Sequence, residues 1–226
     1  QDFYFSSDTA VGNLPNLFIV ADGMGGHKAG DYASRYTIER VVASVSRNAG
    51  DEPVSIIKEA INKANELLLA ESRQDEAKRG MGTTLVIGTI IGNKLFVANI
   101  GDSRLYIVGG TEQIRQITRD HSLVDEMVRM GEINADEARV HPDKNIITRA
   151  VGAADHVEAD FFEVELCEDD RILLCTDGLT NMVRDEEICD TIRQNDNIET
   201  AASQLVAMAN ANGGRDNITV MIIKPF

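Results

Sequence analysis

The sequence predicts an α+β fold: a four-layer α-β-β-α sandwich, with two antiparallel sheets stacked face to face and helices outside. Three observations predict it. Residues 83–91, 94–100, 104–108, 171–175 and 219–223 are apolar on both faces, as strands covered on both sides must be. The intervening segments carry apolar residues at helical spacing. Turn signals such as Gly92-Asn93 sit between neighbouring strands, which makes hairpins and hence antiparallel pairs.

Taken in order, Phe3 and Phe5 alternate with Asp2 and Tyr4 and suggest a first strand. A start in mid-strand suggests a trimmed N-terminus. The apolar run Leu17-Phe18-Ile19-Val20-Ala21 reads as a buried strand. Residues 30–47 form a helix with Ile38, Val41, Val42 and Val45 on its apolar face. Asp51 is placed to cap a second helix, with Pro53 in its first turn. Its stripe is Val54, Ile57, Ile61, Ala64 and Leu68. Residues 74–80 are polar and read as a loop.

Residues 83–91 and 94–100 then pair, and 104–108 pairs with 113–118 through a Gly109-Gly110 turn. Residues 120–144 are polar, with short helical pieces at 122–130 and 134–139 and little core. They predict a mobile flap within a single domain spanning 1–226, the flap reaching to about residue 148. Strands follow at 146–151 and 160–166, and helices at 185–193 and 197–211. The last helix turns Ile198, Ala202, Leu205 and Ala209 inward, and Gly213-Gly214 ends it. Internal repeats and low-complexity segments are absent.

The composition narrows the function. At 226 residues the chain can bury one substantial core. A net charge of −15 argues against a nucleic-acid partner, because phosphate backbones are bound by stripes of lysine and arginine. No apolar run approaches the ~20 residues needed to cross a bilayer. Cys167, Cys175 and Cys189 are odd in number and lack CxxC spacing, which disfavours zinc and a disulfide framework and suits a reducing cytoplasm. Cys175, within an apolar strand, reads as a small core residue.

The chemistry-bearing pattern is an aspartate at the end of an apolar strand. Asp22-Gly23-Met24-Gly25-Gly26-His27 follows one strand, Gly101-Asp102 another and Asp177-Gly178 a third, and Asp216-Asn217 precedes a fourth. Unpaired carboxylates at the rim of a core are costly. Four of them at one sheet edge suggest an acidic cluster neutralised by a pair of hard divalent cations. The glycines allow sharp turns and close approach to a ligand.

With these motifs go Gln1-Asp2, Gly82-Thr83-Thr84, Gly101-Asp102-Ser103-Arg104, Asp120-His121-Ser122 and Thr148-Arg149-Ala150-Val151-Gly152. Together, and in this order along essentially the whole chain, they resemble the protein phosphatase 2C (PPM) family of metal-dependent serine/threonine phosphatases, bacterial type. The resemblance implies hydrolysis of phosphoserine and phosphothreonine in proteins by water activated at a two-metal centre of Mn2+ or Mg2+, with a weaker third ion. It implies Asp22 bridging both ions, the Gly23 carbonyl on the first, and Asp177 and Asp216 on the second. Asp120 and Asp177 match the third ion's positions. Asp2 lies near the metals or orders their waters, and Asp102 takes a supporting role.

Asp22 and His27 are the candidate catalytic residues, His27 as proton donor to the leaving oxygen, with a metal-held water as its rival. His121, His141 and His156 read as structural or exposed, and Thr83 and Thr84 as packing and hydrogen bonding. The family also carries a phosphate-binding arginine shortly before the position of Gln1. The implied partners are phosphorylated proteins, substrates of a serine/threonine kinase, met by a monomer with no nucleic-acid or membrane partner. Two other readings compete. One is a non-catalytic phosphoprotein-binding domain of the same fold, and the other is a hydrolase of small phosphate esters.

Overall fold

The computed structural model describes residues 1–109 and 114–226. The chain begins with β1 (Asp2–Ser7) and β2 (Leu17–Met24), then α1 (His27–Arg47) and α2 (Pro53–Gln74). A 3-10 turn at Glu76–Lys78 leads to β3 (Gly82–Thr83), β4 (Leu85–Ile91), β5 (Lys94–Ile100), β6 (Arg104–Val108) and β7 (Arg115–Gln116). Next come α3 (Leu123–Met130), α4 (Ala135–Val140), β8 (Asp160–Glu165) and β9 (Arg171–Cys175). The chain closes with α5 (Asp177–Thr180), α6 (Asp185–Gln194), α7 (Ile198–Ala211) and β10 (Val220–Ile223).

Two antiparallel sheets result. One runs β1-β2-β4-β5-β8 with β3 on the far end of β2, and the other runs β10-β9-β6-β7. Period-two alternation sorts their side chains into layers. Val20, Val86, Leu95 and Val97 of the first sheet meet Leu105, Ile107, Ile172 and Leu174 of the second. The opposite face of the first sheet, with Ile19, Ile87 and Ala98, packs on Val41, Val45, Ile57, Ile61 and Leu68 of α1 and α2. The opposite face of the second, with Tyr106, Leu173 and Cys175, packs on Ile188, Ile192, Leu205 and Ala209. The predicted four-layer sandwich is the observed one.

Details depart from the sequence reading, each for a local reason. Residues 146–151 form no strand. Ile146 accepts from the Leu123 N–H, Thr148 donates to the His121 carbonyl and Val151 exchanges bonds with Thr83. Three different partners satisfy the segment, so no ladder propagates. The run 83–91 is broken at Thr84, whose N–H turns to the Asp22 carbonyl.

The position before α2 is held by Glu52, not Asp51, and makes no side-chain cap. Val54 is exposed, and the buried stripe runs from Pro53 through Ile56 and Ile57. In α7 the buried face is Ala201, Leu205 and Ala209, one residue away from Ala202. The 113–118 strand is reduced to β7, and Gly110 and Gln113 lie outside the described residues. The four-residue α5 is too short to leave a periodic signal.

The 120–148 segment contains α3 and α4, and its two ends are stitched together by the Ser122–Ile147 bridge. Ser122 caps α3 by accepting from the Asp125 N–H, and Asn134 forms a capping box with Glu137 on α4. Only Val124 of α3 is buried, and no residue of α4 is. Among the described residues no helix is long and apolar enough to cross a membrane.

Candidate metal centre

Asp22 lies near the end of β2, directly opposite Asp2 of β1. Its backbone is gripped from β3. The Thr83 hydroxyl donates to its carbonyl at 2.8 Å and the Thr84 N–H to the same oxygen at 2.9 Å. The Asp22 N–H donates to Thr84 Oγ1 at 2.9 Å. Gly82-Thr83-Thr84 therefore serves as a clamp on Asp22, the hydrogen-bonding role the sequence suggests. Gly23 has no room for a side chain, because a Cβ there would collide with the carbonyl of Gly30 and lie 2.9 Å from that of Gln1.

The second bank comes from the other sheet. Asp177 opens α5 directly after β9, and Asp216 lies in the loop before β10. These segments are pressed together, since a Cβ on Gly178 would strike the Asn217 carbonyl. Asn181 Nδ2 donates to Asp177 Oδ2 at 2.8 Å, and Lys144 Nζ donates to Asn181 Oδ1 at 3.0 Å. Asp216 is exposed, and its Oδ1 accepts from the Asn217 N–H at 2.8 Å.

The carboxylates act on one another. Burial, then the charges of Asp2, Asp177, Asp102 and Asp216, push Asp22 up to about 9. Burial, then Asp177 and Asp120, push Asp102 up to about 7. Asp177 is also raised, by burial, Asp216 and Asp2. Asp2 Oδ1 and Asp177 Oδ1 are buried and accept no hydrogen bond. Such a set must either hold protons or take up cations.

Bare inward-facing carboxylate oxygens suit hard divalent ions, which prefer oxygen ligands and retain waters. Among the described residues, no three histidine, cysteine, aspartate or glutamate side chains are gathered closely enough to hold a metal ion by themselves. Asp22, Asp177 and Asp2 would offer such ions carboxylate oxygens, with backbone oxygen and water supplying the remaining ligands.

Asp120 is differently placed. Arg104 Nε donates to its two oxygens at 2.9 and 3.0 Å, Arg104 Nη2 to Oδ2 at 2.7 Å, and Gln116 Nε2 to Oδ1 at 2.9 Å. Its acceptor capacity is taken. Asp102 feels the charge of Asp177 and lines the same groove. His27 begins α1, but its side chain lies outside the described residues.

His121 is buried and structural, as expected. Its Nδ1 accepts from the Gly101 N–H at 3.1 Å, and its Nε2 lies 3.2 Å from Asp160 Oδ2. His156 is exposed. A groove of about 380 Å3 adjoins the centre, with Asp102 and Asp177 on one side and Val124, Val128, Ala138 and Arg139 of the 120–148 segment on the other.

Sequence reading missed Thr176, Thr219, Asn181 and Arg104 as partners of these acids. Thr176 and Thr219 meet Asp2 across 174 and 217 residues of chain, and no spacing rule reaches that far. Asn181 stands four residues after Asp177 on a helical turn. That spacing is the one local signal that could have flagged it.

Comparison with known proteins identifies the family of this fold. The family model described as Protein phosphatase 2C matches residues 6–218. The chain is 40% identical over 215 residues to the serine/threonine phosphatase stp of Listeria welshimeri, covering 92% of this chain and 84% of that one. It is 41% identical over 213 residues to the protein phosphatase PhpP of Streptococcus pneumoniae, covering 92% and 85%.

The crystal structure of the serine/threonine phosphatase Stp1 from Staphylococcus aureus superposes with a TM-score of 0.87 at 32% identity, covering 98% of this chain and 93% of that one. The catalytic domain of the serine threonine protein phosphatase PstP, solved in complex with two manganese ions, superposes with a TM-score of 0.83 at 32% identity, covering 98% and 95%. The chain belongs to the protein phosphatase 2C family of protein serine/threonine phosphatases.

Proposed function

We propose that the chain hydrolyses phosphoserine and phosphothreonine in proteins at a centre of two divalent ions, Mn2+ or Mg2+. The observation that carries this is the pair of buried, unpartnered oxygens on Asp2 and Asp177 beside Asp22. Asp22, the Gly23 carbonyl, Asp177 and Asp216 would hold the ions. When bound, the ions supply an activated water and a clamp on the phosphoryl oxygens.

The residues do the rest. Thr83 and Thr84 fix the Asp22 backbone, Asn181 turns Asp177, and His27 is proposed to return the proton to the leaving serine or threonine oxygen. A third, weaker ion is assigned to Asp102 and Asp177 in place of Asp120, because Asp120 is committed to Arg104. The polypeptide around the phosphorylated residue would lie in the groove beside the 120–148 segment.

Three free cysteines support a reducing compartment, the cytoplasm, where substrates of a serine/threonine kinase would be met by a monomer.

The test is phosphate release from phosphothreonine and phosphoserine peptides with manganese, against phosphotyrosine peptides. Asp177→Asn and Asp216→Asn should each remove nearly all turnover. Full activity in both, or a preference for phosphotyrosine, would sink the proposal.

A further inference from the structure

Asp2 is held from across the molecule. It belongs to β1, at the edge of the first sheet, yet both its side-chain hydrogen-bond donors come from the second. Thr176 Oγ1, just after β9, donates to Asp2 Oδ2 at 2.8 Å, and Thr219 Oγ1, just before β10, donates to the same oxygen at 2.8 Å. The two threonines are locked to each other. The Thr219 N–H donates to Thr176 Oγ1 at 3.0 Å, and the Thr176 N–H donates to the Thr219 carbonyl at 3.2 Å.

Because Thr176 Oγ1 already accepts a bond, its own proton is left for Asp2. Hydroxyls fix the carboxylate without cancelling its charge, as a lysine or arginine would. The other oxygen, Asp2 Oδ1, is buried and bare, within the field of Asp22 and Asp177.

We infer that Thr176 and Thr219 are positioning residues for the metal centre. They anchor one oxygen of Asp2 so that the other is presented to the ions, and they set the spacing of the two sheets at the point where the centre spans them. This rests on the two-ion reading above.

The test is manganese titration of metal-free protein by calorimetry, together with kcat and KM on a phosphothreonine peptide. Thr219→Val keeps the shape of the side chain and removes the hydroxyl. It should weaken manganese binding about tenfold, the lower end of what second partners of metal ligands contribute. Thr219→Ser should restore the affinity to within about twofold of wild type. In an Asp2→Asn background, Thr219→Val should cost no further affinity, since the cycle isolates the path through Asp2.

Should the valine variant not fold, Thr219→Ala carries the same expectations without the branched methyl. Wild-type affinity in the valine or alanine variant would overturn the inference. An equal loss with and without Asp2 would also overturn it, by showing a merely structural role. A wild-type protein that binds no manganese would instead overturn the two-ion reading itself.

Discussion

Asp2 and Asp177 share one geometry: one oxygen is tied to neutral donors, and the other is buried and bare. Neutral donors orient a charge without spending it. Asn181→Ala should therefore lower manganese affinity by roughly ten- to a hundredfold while leaving the fold intact, read by calorimetry and by the melting temperature of the metal-free chain. Asp120 is the opposite case. It is half-buried beside Arg104 in a bidentate pair, and Arg104 also donates to Tyr106 Oη at 2.7 Å. Removing one partner of such a pair strands a partly desolvated charge. Arg104→Ala should cost about 1–3 kcal/mol in urea unfolding, which makes this arginine a matter of stability before chemistry.

Among the elements, α2 carries the segment that returns from the groove. The Gly152 N–H donates to Asn65 Oδ1 at 2.7 Å, and Asn65 Nδ2 donates to the Ala154 carbonyl at 3.0 Å. Gly152 has φ +84° and lies against Leu68, where a Cβ would collide. The Thr148-Arg149-Ala150-Val151-Gly152 motif thus docks the chain onto α2. Leu68 is fully buried there. Leu68→Ala should cost about 2–5 kcal/mol, measured by chemical denaturation.

The 120–148 segment has the contrary character, with Val124 as the buried residue of its helices and Met130, Val140 and Ile146 exposed. Local opening there should be cheap. Hydrogen exchange in α3 and α4 should outpace exchange in β4 and β5. Variants on this segment should alter turnover of phosphoproteins more than turnover of a small aryl phosphate. Equal effects on both substrates would make the segment mere surface.

At the scale of the molecule, the acidic centre couples stability to pH. Asp22, raised to about 9, and Asp102, raised to about 7, hold protons in the folded metal-free chain that the unfolded chain releases above the ordinary carboxylate range near 3.8. The folded state binds more protons between those limits, so its stability falls as pH rises from about 4 toward about 9. The melting temperature of metal-free protein should drop between pH 5 and pH 8. Manganese displaces those protons, so its stabilising effect should be larger at pH 8 than at pH 5. Thermal melts with chelator and with manganese at both pH values check this. A metal-free chain that melts higher at pH 8 than at pH 5 would contradict the acidic centre as described.

The sequence alone determined the layers. Residues apolar on both faces of Leu85–Ile91 and Arg171–Cys175 can only be covered twice, and the helical stripes of Ile38 to Val45 and Ile57 to Leu68 supply the covers. It also determined which acids end strands, since Asp22 and Asp177 each follow an apolar run into a glycine. What only the tertiary structure decided is who holds those acids. Asp120 was legible as an acid beside a histidine, but its capture by Arg104 depends on the pairing of β6 with β7. The threonine clasp on Asp2 depends on strand ends of two stacked sheets coming together. Apolar periodicity is a local property, read within one turn or one pleat. A hydrogen bond across 217 residues exists only once the core has closed and brought its partners within 3 Å.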